Sequence, residues 1–238
     1  MKIVLQKGTS THNILPQVQK KKQPAVIIDQ TGEMIAKYYD PARGDIIFNP
    51  FDARTKSWDF WTDCNTAEEL ERFAKILFSF NRRKTGHNSD PFWEQSAESV
   101  FIASVNYQRA SGNLSIEQLC RLLRRSSLKS LQAKLRDTES SRYLEADNRT
   151  TASSILSVLA TNAKPLSYLR DPDTDRIDST DIKHNFSLKE YFKNIDQGSS
   201  SWLFLATKPS SRDLTLPLIA CLLDLAFVLV PFCKTIFT

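Results

Sequence analysis

Glycine is scarce in this 238-residue chain. Only six occur, and upstream of the first clear strand, in PAVIIDQTGEM at residues 24–34, Gly8 stands alone. A glycine-rich loop, whose closely approaching backbone N–H groups surround phosphates at a helix N-terminus, is therefore lacking where a nucleotide-binding α/β protein would carry it. Paired cysteines are lacking too. Cys64, Cys120, Cys221 and Cys233 show no CxxC or CxH spacing, which argues against a structural zinc site or a disulfide framework and makes a reducing compartment the default. His12, His87 and His184 are isolated, with no partner pattern for metal binding or nucleophilic catalysis. Long apolar runs are few. Ile3 to Leu5 is too short for the hydrophobic region of an export signal. Residues 216–232 are interrupted by Pro217, Asp224 and Pro231, and a centred Asp costs about 2.5–3.5 kcal/mol on insertion scales, so a core helix with an exposed tail is the better reading.

What is present is an ordinary globular balance, with 41% apolar and 25% charged residues, enough for one large domain or two smaller ones. The net charge of +5 is unevenly placed. Residues 64–170 hold 16 Lys and Arg against 11 Asp and Glu, whereas the rest of the chain holds 16 of each sign. A basic segment between neutral ones points to an anionic partner, although an excess of this size also occurs on plain solvated surfaces.

The first 63 residues alternate helix and strand. Residues 10–22 read as a helix ending in Lys20, Lys21 and Lys22, where cations complement the helix dipole, with Pro16 as a blemish. Ala25, Val26, Ile27 and Ile28 run into Asp29, a pattern that suits a buried parallel strand delivering a carboxylate to the sheet's carboxyl edge, where α/β proteins bind ligands. A short helical piece over residues 34–39, a turn at DPARG (40–44) and a strand over 45–48 follow, then NPFD (49–52). Trp58, Phe60, Trp61 and, further on, Trp93 are expected in the core or between the two parts, not as base-stacking platforms.

Residues 66–164 read as almost wholly helical. Thr66 caps a run in which Leu70, Phe73, Ile76, Leu77 and Phe80 recur at helical spacing, with Glu68, Glu69 and Glu71 in the first turn. Asp90 and Pro91 open a second helix carrying Phe92, Trp93, Val100, Phe101 and Val105. A third starts at Ser115 and holds Arg121, Arg125 and Lys129 four apart on one face, with Arg124 beside them and Leu119, Leu122, Leu123 and Leu131 elsewhere. A fourth covers about residues 150–166. The stripe has two readings, a solvated helix face or a contact for DNA or a protein partner. A loop over 171–181 leads back to α/β character, with FSLKEYF and the strand SWLFLAT at residues 201–207, so that the α/β pieces supply about three strands.

AVIIDQTGEMIAKYYDP, IIFNPFDARTKSWDFWTDC, DPFWEQSAESVF, SSILSVLATNAKPLSYL and WLFLAT, in that order, resemble the TraD-type branch of the type IV secretion coupling proteins over most of residues 7–225. The DxxGE after a strand (Asp29, Gly32, Glu33) and the NPFD are fairly specific together. The resemblance implies an α/β fold, an incomplete P-loop (RecA-like) nucleotide-binding domain with an inserted all-α domain. Residues 1–63 would be the first part of the nucleotide-binding domain, 64–170 the insertion, and 171–238 the return with an atypical tail. It also implies a membrane-anchored homo-hexamer at the cytoplasmic face of the bacterial inner membrane. Such a hexamer uses ATP and Mg to move DNA, with relaxosome proteins and the secretion channel as partners.

Carried onto this chain, the family's phosphate-binding lysine falls at or near Lys7. The magnesium hydroxyl is then expected at position 8, which is Gly8, with Thr9 or Ser10 able to serve in a different register. Asp29 lies at the nucleotide edge but on the wrong strand for the family's magnesium carboxylate. The resemblance also marks what is missing. Residues 1–6 contain no glycine, and WLFLAT ends in Ala206-Thr207 where an ATPase needs an Asp-Glu pair to hold magnesium and water. Asp29 and Glu33 have a plainer reading as caps of the following helix, and Lys7 one as a frayed terminal lysine. The expectation is an internal fragment, from a truncated or split reading frame, without ATP turnover of its own and with an unstable fold outside its middle. The alternatives are a non-enzymatic DNA- or protein-binding helical module, or a decayed inactive product.

Overall fold

The computed structural model describes residues 2–5, 10–85, 90–145, 149–171 and 185–229, so Lys7, Thr9, His87, His184, the expectation of a loop over 171–181 beyond its first residue, and residues 230–238 lie outside the described residues. The chain divides into two compact units, Met1–Asp63 with Pro172–Thr238, and Cys64–Asp171.

The first unit begins with β1 (Lys2–Leu5), α1 (Ser10–Lys20), β2 (Ala25–Asp29), α2 (Glu33–Tyr38), β3 (Ile46–Phe48), the two-residue β4 (Ser57–Trp58) and α3 (Phe60–Asp63). Ala25, Val26 and Ile27 are fully buried, as a parallel strand covered on both faces requires. Between α2 and β3, Asp40 caps a 3-10 turn by accepting from Ala42 N, and Gly44 (φ 82°) closes it in the left-handed region. Asp45 then collects Arg43 through Nε (2.8 Å) and Nη2 (2.6 Å), together with the N–H groups of Asp40 and Trp202. The Arg43 guanidinium also lies 4.1 Å from the Trp202 ring centroid.

The helical unit follows. α4 (Ala67–Thr85) starts in a reciprocal cap, Glu69 N donating to Thr66 Oγ1 (3.2 Å) and Thr66 N to the Glu69 carboxylate (2.9 Å). Leu70, Phe73, Leu77 and Phe78 are buried, while Ile76 and Phe80 of the expected stripe are only half-buried. α5 (Phe92–Ala110) packs against α4 through Phe101, whose ring meets Phe73 and Phe78.

The expected third helix is two helices, α6 (Ile116–Arg125) and α7 (Leu128–Lys134). Ser126 is extended (ψ 141°), and the Ser127 hydroxyl accepts from Ser130 N, so a serine N-cap restarts the helix and removes Lys129 from the face of Arg121 and Arg125. α8 (Arg149–Asn162) likewise stops before residue 166, at a 3-10 turn containing Pro165, which has no N–H to continue the ladder.

The chain returns through β5 (Asn185–Phe186), α9 (Leu188–Asp196), β6 (Trp202–Ala206) and α10 (Arg212–Leu229). All five β6 residues are buried, and the sheet order is β1-β2-β6-β3 with every pairing parallel. Four strands thus replace the expected three. Residues 2–5 pair with 25–28, so the segment in which the resemblance would look for phosphate-loop glycines is strand. β4 and β5 form a separate parallel pair, too short to show a sequence period. Trp58, Phe60 and Trp61 are buried in this unit, Trp58 Nε1 donating to Asp63 (2.6 Å). In α10, Leu218, Ile219, Cys221, Leu222 and Leu225 are core residues, and among the described residues no helix is long and apolar enough to cross a membrane.

Candidate functional site

Two places follow from the sequence, the carboxyl edge of the sheet and the cationic face of the helical unit. At the sheet edge, Asp29 is fully buried and turned onto its own loop. One carboxylate oxygen accepts from the N–H groups of Thr31 (3.2 Å) and Gly32 (2.8 Å), and the other from Ile35 N (2.9 Å). Gly32 sits at φ 83° with open space where a Cβ would stand, so the turn needs glycine for its backbone conformation and not for room. Asp29 is therefore occupied as the cap of α2, the plainer of its two readings. Glu33 is exposed in the first turn of that helix.

On the neighbouring strand, Thr207 N donates to Asp29 O (3.0 Å), and no carboxylate follows. Among the described residues no group of three His, Cys, Asp or Glu could hold a metal ion. At the described edge, the Asp29 carboxylate is committed to backbone N–H groups of its own loop. Lys7 and Thr9 lie outside the described residues.

The helical unit offers a different arrangement. α6 turns Ile116, Leu119, Leu122 and Leu123 inward and leaves Arg121, Arg124 and Arg125 exposed. Its N-terminus is fastened by a residue 55 positions away: the Asp171 carboxylate accepts from Ser115 Oγ (2.7 Å), Ile116 N and Glu117 N (3.1 Å). That cap and the arginines of the last turn both favour the helix dipole. Arg121 donates to Glu117 Oε1 (2.5 Å), an i,i+4 pair with both side chains more than half exposed, which contributes little energy.

Beside α6 lies an open groove of about 450 Å³, where Arg121 and Arg125 meet Lys134 of α7 and Tyr107 of α5, with Ser111, Asn113 and Gln118 completing the polar rim. No carboxylate side chain lines it. Arg124 and Lys129 are exposed outside it. Lys134 Nζ stands 4.9 Å from the Tyr107 ring centroid and 3.2 Å from its hydroxyl. On the same helix, burial pushes the Cys120 thiol up to about 11. A second groove, of about 610 Å³, is mixed in sign: Glu68, Glu71, Glu98 and Glu139 with Arg72 and Lys75. Burial raises the Glu98 carboxyl above its ordinary value.

Sequence reasoning found Arg121 and Arg125 but missed Tyr107, Lys134 and Asp171. These come from three other segments, and no spacing rule within one helix could have joined them.

The chain resembles known proteins over nearly its whole length. Residues 6–234 match the family model described as the type IV secretion-system coupling protein DNA-binding domain, past residue 225 where the quoted motifs fade. The coupling protein TraD of Escherichia coli (strain K12) is 29% identical over 205 residues, which cover 84% of this chain and 26% of TraD. Among solved structures, the plasmid coupling protein TrwB in complex with a non-hydrolysable ATP analogue superimposes with a TM-score of 0.74 at 17% identity. That match covers 96% of this chain and 52% of TrwB. TrwB in complex with ADP and Mg2+ gives 0.73 at 18%, over 96% and 51%. The present chain thus spans about a quarter of TraD and about half of the solved TrwB chains, and the TrwB likeness carries the fold: a RecA-like α/β unit with an all-α insertion.

Proposed function

The chain belongs to the type IV secretion-system coupling protein family, and on that premise we propose that it is the DNA-contacting portion of a conjugative DNA-transfer ATPase that links the relaxosome to the secretion channel. In this reading the helical unit meets phosphates through Arg121, Arg124 and Arg125, with Lys129 of the next helix as an outlying contact. The observation that carries it is the division of α6 into a buried leucine face and an exposed arginine face, within the unit that holds the chain's whole basic excess. ATP and Mg belong to the complete motor in this proposal, in line with the TrwB complexes with a non-hydrolysable ATP analogue and with ADP and Mg2+, as do the homo-hexamer and the cytoplasmic face of the inner membrane. This chain alone is expected to turn over no ATP, since residues 1–6 hold no glycine for a phosphate cradle and WLFLAT ends in Ala206-Thr207 in place of an Asp-Glu pair.

The test is a salt titration of DNA binding by the full chain and by Arg121→Glu/Arg125→Glu/Lys129→Glu. Sequence-tolerant binding predicts affinities of about 10⁻⁴–10⁻⁶ M at physiological salt and a salt slope that falls by about 0.9 for each phosphate the variant no longer neutralises. Helicity should fall only slightly, because all three residues are exposed, the lost Glu117 pair is worth only a few tenths of a kcal/mol and the dipole effect about 0.3–1 kcal/mol. Equal binding by wild type and variant, or none by either, would remove the DNA role and leave a protein partner for this face.

A further inference from the structure

The first turn of α6 is capped twice. Ser115, the residue before the helix, accepts from Gln118 N through Oγ (3.2 Å), which satisfies the third N–H of the helix. The first two, those of Ile116 and Glu117, donate to the carboxylate of Asp171, and the Ser115 hydroxyl donates to it as well (2.7 Å). This second cap comes from outside the helix. Asp171 is the last residue of the helical unit, and the chain passes to the other unit at Pro172.

The two caps differ in what their loss would do. Without the Asp171 carboxylate, Gln118 N keeps its cap, Ser115 keeps Gln108 Nε2 on its carbonyl (2.6 Å) and Asn113 Oδ1 on its N–H (3.2 Å), and the leucine face stays buried. α6 then remains a helix but loses its tie to the chain crossing. Hydrogen bonds lead from that tie to the cationic face: Asp171 accepts from Glu117 N (3.1 Å), and Glu117 Oε1 accepts from Arg121 (2.5 Å).

We infer that Asp171 is the positioning residue of the arginine face, a releasable latch that ties α6 to the crossing between the two units and holds Arg121, Arg124 and Arg125 where they meet phosphates. The inference rests on the DNA reading above and adds the residue that sets the helix for it. Position and charge act in opposite directions at this residue. A carboxylate beside α6 repels a polyanion, so its removal tightens binding if charge decides and weakens binding if the latch decides.

The experiment titrates the full chain, Asp171→Asn, Asp171→Glu and Ser115→Ala with a short labelled DNA duplex over a range of salt, with hydrogen exchange and circular dichroism measured on each. Asn keeps the shape of the side chain without its charge, and Glu keeps the charge on a longer arm. Ala removes the helix's own cap while Ile116 N and Glu117 N stay on Asp171. In Asp171→Asn, exchange at Ile116 and Glu117 should be about tenfold faster. Duplex binding should weaken at least about threefold in Asp171→Asn and Asp171→Glu, with a salt slope lower by about 0.9 or more although no cation has been removed. Ser115→Ala should exchange faster at Gln118 and bind the duplex with the wild-type slope.

Tighter or unchanged binding by Asp171→Asn overturns the inference, because charge then decides. Weaker binding with the full wild-type slope overturns it too, since every phosphate would still be met. So does a loss in Ser115→Ala equal to that in Asp171→Asn, which fraying of the helix explains. Absence of duplex binding by wild type removes the DNA reading and the latch together, whereas binding that is the same in all four proteins removes the latch alone. If Asp171→Asn loses circular dichroism, Asp171→Glu decides by the same slope.

Discussion

Asp63 offers a test in which the sign of a pH effect decides the reasoning. The residue is 1% exposed and stands where three donors converge, Trp58 Nε1 (2.6 Å) and Leu188 N (2.7 Å) on one oxygen and Lys189 N (3.1 Å) on the other. It ties α3 to the first turn of α9. Burial outweighs these hydrogen bonds and raises its carboxyl from the ordinary 3.8 to about 6. Between those values the native state holds a proton that the unfolded chain releases. The contribution to stability is therefore complete below about 3.8 and is lost as the pH rises through about 6. The gap corresponds to about 3 kcal/mol.

Asp63→Asn mimics the protonated form. It keeps an oxygen for Trp58 and Leu188 but turns an N–H₂ toward Lys189 N, leaving that donor unsatisfied at a cost of about 1–3 kcal/mol. The variant should be less stable than wild type near pH 4 and equal to or more stable than it near pH 7.5. Urea melts across this range, read by tryptophan fluorescence, measure it well because three of the four tryptophans, Trp58, Trp61 and Trp202, lie in this unit. A wild-type advantage that grows with pH would show that the three donors hold Asp63 ionised and that burial is the weaker effect.

Other perturbations give equally definite outcomes. Arg43→Met strips the charge partner from Asp45, whose side chain is fully buried, and should destabilise the α/β unit by about 3–5 kcal/mol in chemical denaturation. Asp171→Ala removes the acceptor for Ser115 Oγ, Ile116 N and Glu117 N, and should cost the helical unit about 1–2 kcal/mol, seen as faster hydrogen exchange in α6 with little change in the first unit. Cys120 should react slowly with iodoacetamide at pH 7.5, since its thiol is pushed up to about 11; rapid labelling would show that α6 opens readily.

The sequence by itself determined what rests on local chemistry. The apolar run from Ala25 to Ile28, the caps at Thr66, Asp90 and Ser115, the alternation that frames a helical insertion and the ordered motifs of a coupling protein are properties of neighbours in the chain, and each appears where its residues place it. Two readings stayed open until the structure supplied the partners. Asp29 could be a ligand of a nucleotide or a cap until its oxygens met Thr31, Gly32 and Ile35. Residues 2–5 carried too short a pattern to be read as strand until the ladder of β2 supplied partners for their backbone groups.

A third reading failed locally, because Ser126 and Ser127 offered the backbone a cap in place of helix hydrogen bonds and so divided the arginine stripe. Only the tertiary structure brought Tyr107, Lys134 and the two arginines into one groove, and fastened α6 through Asp171. Helical periodicity assigns faces within a helix, but which faces of different helices share a concavity depends on how their buried leucines pack, and that is decided by the whole unit at once.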